Sequence, residues 1–227
     1  MAGRLPSALL RPRLRTKAEA AVALAVPAAW NNIVLPGLRL PLRGRTAANL
    51  VFAVGYAALF GGRPNWLSAS GFRWGAVGAA VVFTGYGVAL AVPALRRLPL
   101  EVAERVPETS MLEWIALHIP VGTVLAEEAV FRGTLDPLLD EVADPLLAAA
   151  LGALDFGVWH INPARSVGES VPGTLAVTTA AGLVFGFLRR HTGSATAPAL
   201  VHLAINAGGA LLPLAALRIE LRSGRGS

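Results

Sequence analysis

Residues 111–133 read Met-Leu-Glu-Trp-Ile-Ala-Leu-His-Ile-Pro-Val-Gly-Thr-Val-Leu-Ala-Glu-Glu-Ala-Val-Phe-Arg-Gly, an apolar run that ends on Glu127, Glu128 and Arg132. A hydrocarbon layer of ~30 Å takes ~20 apolar residues of helix. Ionisable residues at that depth are rare, and each calls for a partner and a purpose. Further along, two more apolar stretches carry one histidine each: His160 in Phe-Gly-Val-Trp-His and His202 in His-Leu-Ala-Ile-Asn. Three polar clusters on separate apolar helices suggest one buried site assembled from several helices, which is the shape of an intramembrane enzyme.

Composition points the same way. The 227 residues are 54% hydrophobic and 15% charged, with a mean hydropathy of +0.57. Soluble domains carry about 25% charged residues, so much of this surface faces something other than water. There are no cysteines, which removes disulfides, thiolate metal sites and cysteine nucleophiles together. The net charge of +6 fits loops at anionic headgroups. No basic run is interleaved with aromatics, so no nucleic-acid partner is expected. All but one of the basic residues are arginine, which hints at a GC-rich genome.

The fold class expected is all-α, a polytopic transmembrane bundle of about seven helices, with six to eight as the range. Candidate spans fall at Ala18–Leu35, Ala47–Phe60, Gly75–Leu95, Met111–Ala126, Pro145–His160, Val171–Leu188 and Ala195–Leu217. Asn31 and Asn32 interrupt the first. Residues 1–110 read as about three N-terminal membrane helices behind a basic segment, 111–217 as a catalytic helical core, and 218–227 as a frayed, solvated tail. Leu98–Thr109 reads as a polar surface connector, and Leu135–Asp144, with Asp136, Asp140, Glu141 and Asp144, as an amphipathic loop or interfacial helix. The basic N-terminus loosely resembles a signal peptide, but the apolar run continues to Leu35, so a retained first helix is expected. In the seven-span reading the twenty basic residues divide ten and ten between the two faces, which leaves orientation open.

Several features have bland readings. Gly182 and Gly186, and the glycines at 75, 78, 85 and 87, suit close helix packing in lipid. Trp66 and Trp74 fit an interfacial belt. Asp155 suits local pairing, His118 a satisfied structural histidine, and His191 a solvated helix end.

Glu128 and Arg132 are four residues apart and share a helix face in the favourable acid-before-base order. Glu127 is turned about 100° from Glu128 on an α-helix, so it can face the bundle without the arginine. A desolvated carboxylate there suits general-base work near neutral pH. Anchoring Arg132 would explain only one of the two acids. His160 follows Phe156 by four residues, which lets the ring shield the imidazole. His202 and Asn206 are also four apart and offer two donors from one helix, enough for an oxyanion hole. Either pair alone is weak, since such residues also serve as interhelical glue. The His-Glu-x-x-His zinc motif and the Gly-x-Ser-x-Gly elbow are both absent. The Gly-x-Gly-Asp run of aspartyl intramembrane enzymes is absent too, with Gly152-Ala153-Leu154-Asp155 its nearest approach.

Taken in order, Glu-Glu-x-x-x-Arg at 127–132, Phe-x-x-x-His at 156–160 and His-x-x-x-Asn at 202–206 resemble the CPBP family. That family includes CAAX prenyl protease 2 (Rce1-like) and the bacteriocin-processing and self-immunity (Abi) membrane proteins. The resemblance covers roughly Met111–Leu212. It implies an intramembrane endopeptidase in which Glu127 and His160 activate water and His202 and Asn206 stabilise the oxyanion. Glu128, Arg132 and Phe156 have supporting roles.

No cofactor is favoured. Zinc is the alternative, with Glu127, His160 and His202 as its ligands in a His₂Glu set with an open water position. The rival class is a non-enzymatic scaffold or transporter. Transporters show repeat symmetry between halves, whereas these polar residues cluster in the second half. The expected partners are the lipid bilayer and a membrane-associated protein or peptide substrate. The expected location is an integral, multi-pass protein, in the cell membrane if the source is bacterial.

Overall fold

The computed structural model describes residues 16–97 and 108–223. The basic segment before Thr16, most of the Leu98–Thr109 connector and the last four residues lie outside the described residues. Every element described is helical. We number them α1 (Lys17–Gly37), α2 (Leu42–Phe60), α3 (Ala69–Ala91), α4 (Pro93–Arg96), α5 (Met111–Val142), α6 (Pro145–Trp159), α7 (Ile161–Ser166), α8 (Val171–Thr192) and α9 (Thr196–Ser223).

A helix stands at each of the seven positions expected. Five of them, α1, α3, α5, α8 and α9, are long and apolar enough to cross a membrane. The helix α6, at 15 residues, is short for a span, though residues at its C-terminal end help to build the site. The outward faces carry Val51, Val54 and Leu59 on α2, Val77, Val81 and Phe83 on α3, and Val177, Val184 and Phe187 on α8, all exposed. A surface of this kind is stable against lipid and not against water. The chain is an integral membrane protein built as a polytopic helical bundle.

Local chemistry sets the helix ends. The helix α3 begins six residues before the expected start because the Ser68 hydroxyl accepts the Gly71 N–H at 3.0 Å. It stops at Ala91 because Val92 precedes a proline and takes an extended ψ of 113°. The helix α8 ends on Gly193, whose φ of 65° suits a residue without a Cβ. Two sequence-based expectations are corrected. As far as the described residues go, the stretch after Arg218 is not frayed: α9 runs on to Ser223, and Glu220 accepts from Arg96 at 2.7 Å. The acidic run after Leu135, expected as an amphipathic loop or interfacial helix, is helical but partly buried. It extends α5, burying Asp136, Leu138 and Leu139, while Asp140 receives both Arg189 and Arg190 from the end of α8.

Apolar burial gains little where lipid is the alternative, so close fit holds such a bundle together. A Cβ on Gly182 would stand 2.9 Å from the Ala153 Cα, so α8 and α6 are close because both positions are small. At Gly78 an added Cβ would meet the Val201 side chain of α9 at 2.5 Å. Gly85 and Gly87 have no neighbour within that range, so the packing reading fails for that end of α3. Phe131, Phe156, Trp159 and Phe185 form the aromatic centre, each pair in contact meeting edge to face.

Candidate active site

The helix α5 is not a uniform α-helix. Trp114–Leu125 and Phe131–Leu135 are π-helical, and only Ala126–Val130, the turn bearing both glutamates, is α-helical between them. Pro120 sits in the first π stretch and has no N–H to give to an ordinary turn. Such wide turns are rare and tend to appear at functional sites. Both glutamates thus keep α-helical spacing, while Arg132 lies in the second π stretch.

Glu127 is 4% exposed. Its Oε1 accepts the indole N–H of Trp159 at 3.1 Å. Its Oε2 is buried without a hydrogen-bond partner and lies 3.9 Å from Nε2 of both His160 and His202. Glu128, fully buried beside it, faces elsewhere: Oε1 lies 2.8 Å from Nδ1 of His202, and Oε2 lies 3.6 Å from Nε of Arg132. The ion pair expected from the four-residue spacing is therefore present but long, and the hydrogen bond of Glu128 goes to a histidine of the cluster.

His160 terminates α6, with φ −90° and ψ 3°, in the break before α7. Its Nδ1 lies 2.7 Å from the Phe156 carbonyl. A carbonyl only accepts, so Nδ1 carries a proton and Nε2 is the nitrogen turned toward Glu127. The Phe156 ring packs against both imidazoles, at 4.9 and 6.0 Å. The Arg132 guanidinium lies 4.3 Å from the same ring and donates to the Gly182 carbonyl at 3.3 Å. Asp136 stands 4.0 Å from Arg132 on the far side. The arginine is thus held by aromatic faces and partly offset by two carboxylates, as a desolvated cation requires.

A cavity of about 650 Å³ reaches this point, with Glu127, His160 and Asn206 among its lining. A second space of about 670 Å³ shares His160, Asn31, Asn49 and Thr123 with it and extends past Arg45 and Glu108. The structure therefore brings Glu127, Glu128, His160 and His202 into one cluster and puts Asn206 on the wall of the same cavity. Asp155 is buried on α6 but is not part of that wall.

Sequence reasoning missed three contributors. Trp159 holds Glu127, although its position just before His160 was a usable signal. Asn31 and Asn32 come from the π-helical turn of α1. Asn31 Nδ2 donates to the Trp159 carbonyl at 2.7 Å and Asn32 Nδ2 to the Val158 carbonyl at 2.9 Å. The Asn32 Oδ1 accepts the Asn162 N–H, also at 2.7 Å. These two amides clamp the α6–α7 break on both sides of His160. The signal was two adjacent amides in an apolar helix, which in lipid must find partners.

With this geometry in place, comparison with known families is informative. Residues 109–208 match the family described as type II CAAX prenyl endopeptidase, Rce1-like. This stretch is similar to that family. It contains every residue the three motifs singled out, from Glu127 to Asn206. The CPBP resemblance read from those motifs agrees with it, and at the family level the activity is that of a membrane endopeptidase. No curated protein and no solved structure matches the chain. Asn31 and Asn49 lie outside the matched stretch, on helices packed against it.

Proposed function

We propose that this protein hydrolyses a peptide bond of a membrane-associated protein or peptide, using a water activated by Glu127. The observation that carries this reading is the Oε2 atom of Glu127. It is buried without a hydrogen bond, faces two histidine Nε2 atoms at equal distance and borders a cavity. Gaps of 3.9 Å are too long for direct hydrogen bonds and suit one bridging water. In the step proposed, that water's oxygen attacks the scissile carbonyl carbon while Glu127 takes its proton, with the His160 lone pair accepting the second O–H. The carbonyl oxygen becomes an oxyanion facing His202 and Asn206. Glu128 faces Nδ1 of His202, which leaves Nε2 to donate to the oxyanion. The C–N bond then breaks as the proton held on Glu127 passes to the amine nitrogen, leaving a carboxylic acid and an amine.

A second reading rests on the same atoms. Both histidines have Nδ1 held by an oxygen, the arrangement usual for metal-ligating histidine. Glu127, His160 and His202 would then hold zinc, which supplies Lewis acidity and a more acidic bound water. Among the described residues no three such side chains stand ready-spaced for a cation. Ligand atoms ~2.1 Å from a tetrahedral metal are about half an ångström closer to one another than these are.

The test is cleavage of candidate membrane peptides by purified protein in detergent or liposomes, with and without chelator. Glu127→Ala, His160→Ala, His202→Ala and Asn206→Ala should each be folded and severely impaired, the last by ~10²–10³. Wild-type rates from folded Glu127→Ala overturn the mechanism. Activity lost to chelator and restored by zinc keeps the protease and moves three residues into ligand roles.

A further inference from the structure

We infer that Trp159 is a positioning residue for catalysis, its indole N–H fixing the Glu127 carboxylate so that one oxygen alone is left for the reacting water. The inference rests on the reading of Glu127 as the base. A carboxylate on a flexible side chain can present either oxygen and can rotate away. Here Trp159 Nε1 donates to Oε1 at 3.1 Å, a normal hydrogen-bond length, and Oε2 alone faces the histidines. That bond can orient only if the indole is itself immobile, and three contacts hold it. The Phe131 ring meets it edge-on at 5.6 Å, with planes 87° apart. Phe52 of α2 lies 6.2 Å away, itself stacked on Trp30 of α1 at 4.4 Å. The Trp159 carbonyl is held by Asn31 at 2.7 Å.

An ordinary tryptophan of a membrane protein turns its N–H toward the headgroups. Trp159 is 2% exposed, and its N–H ends on a carboxylate at the centre of the bundle. Packing alone explains the ring but leaves the aim of the N–H unaccounted for. Hydrogen bonds to charged groups are the strong ones, so this donor can hold the carboxylate in one orientation.

The experiment separates the N–H from the ring. Trp159 is replaced by benzothienylalanine, which keeps the bicyclic shape and has sulfur in place of N–H; Trp159→Phe is the second variant. We expect kcat to fall about ten- to a hundredfold, the range for losing a bond to a charged group, with KM within twofold and, for the isostere, a lowered melting temperature but a single cooperative unfolding transition. In protein labelled with ¹⁵N-tryptophan, the indole signal absent from Trp159→Phe identifies residue 159. That signal should move upfield in Glu127→Ala as the bond is lost. Full kcat from the folded isostere overturns the proposal, as does a loss confined to KM. An indole signal unmoved by Glu127→Ala overturns it as well. Wild-type cleavage by Glu127→Ala with a shifted indole signal would instead overturn the reading of Glu127 as the base, so the two failures are distinguishable.

Discussion

Two buried histidine centres flank this bundle's longest helix, and they differ in how far their polar atoms are satisfied. His118, 2% exposed, has Nδ1 at 2.7 Å from the Thr46 hydroxyl and Nε2 at 3.1 Å from Glu113. Glu113 also accepts from Arg43 at 2.7 and 3.1 Å and from Thr109 at 2.8 Å, and the chain of bonds ends at an exposed guanidinium. At the other centre, Glu127 Oε2 has no bond, and the nearest imidazole nitrogens stop at 3.9 Å. The residue types are the same. A saturated network fixes structure, whereas an unsaturated one beside a cavity leaves room for a reactant.

The largest effect that could break this contrast is on rate. Glu127→Gln should lower cleavage by ~10²–10⁴, the usual worth of a positioned base. It should leave the melting temperature equal or higher, because a buried carboxylate with one oxygen unbonded is a burden on the fold. A rate and a thermal scan on one preparation check both, and a large loss of stability would erase the distinction. Next comes Glu128→Gln, which removes the nearest charge from a buried arginine and should cost about 3 kcal/mol of stability while sparing some turnover. If Glu128→Gln stops turnover in well-folded protein and Glu127→Gln does not, the two acids exchange roles. His118→Ala should cost ~1–3 kcal/mol through its stranded partners, with kcat per folded molecule changed only severalfold. Denaturation in detergent together with single-turnover rates would show it. The smallest effect belongs to the half-exposed Arg96–Glu220 pair. Glu220→Gln should cost at most about 1 kcal/mol, read as a slight drop in melting temperature.

Much of the architecture was legible because lipid leaves so few options. Apolar length announces a helix, and a charge within it announces a partner. The clustering of Glu127, His160 and His202 was legible for the same reason. The angular setting of α5 was not. Treating 127–132 as α-helix foresaw a close Glu128–Arg132 pair, and the π turn from Phe131 to Leu135 lengthens it to 3.6 Å. Nothing in a helical period reveals a change of turn. Asp136 reads in sequence as part of an amphipathic loop or interfacial helix because its partner, Arg132, is visible only once the helix is known to continue. The Asn31–Asn32 clamp was beyond local reading, since its bonds cross 126–130 residues of chain.

That clamp separates ancestry from autonomy. Likeness to a family begins at residue 109, yet the loop geometry around His160 is enforced by amides at 31 and 32. A fragment carrying only the matched stretch would keep Glu127, His160, His202 and Asn206 and lose the brace that aims one of them. The unit that can be inherited as a pattern is thus smaller than the unit that can work. Any other protein that shares just the pattern must find its own way to hold that bend.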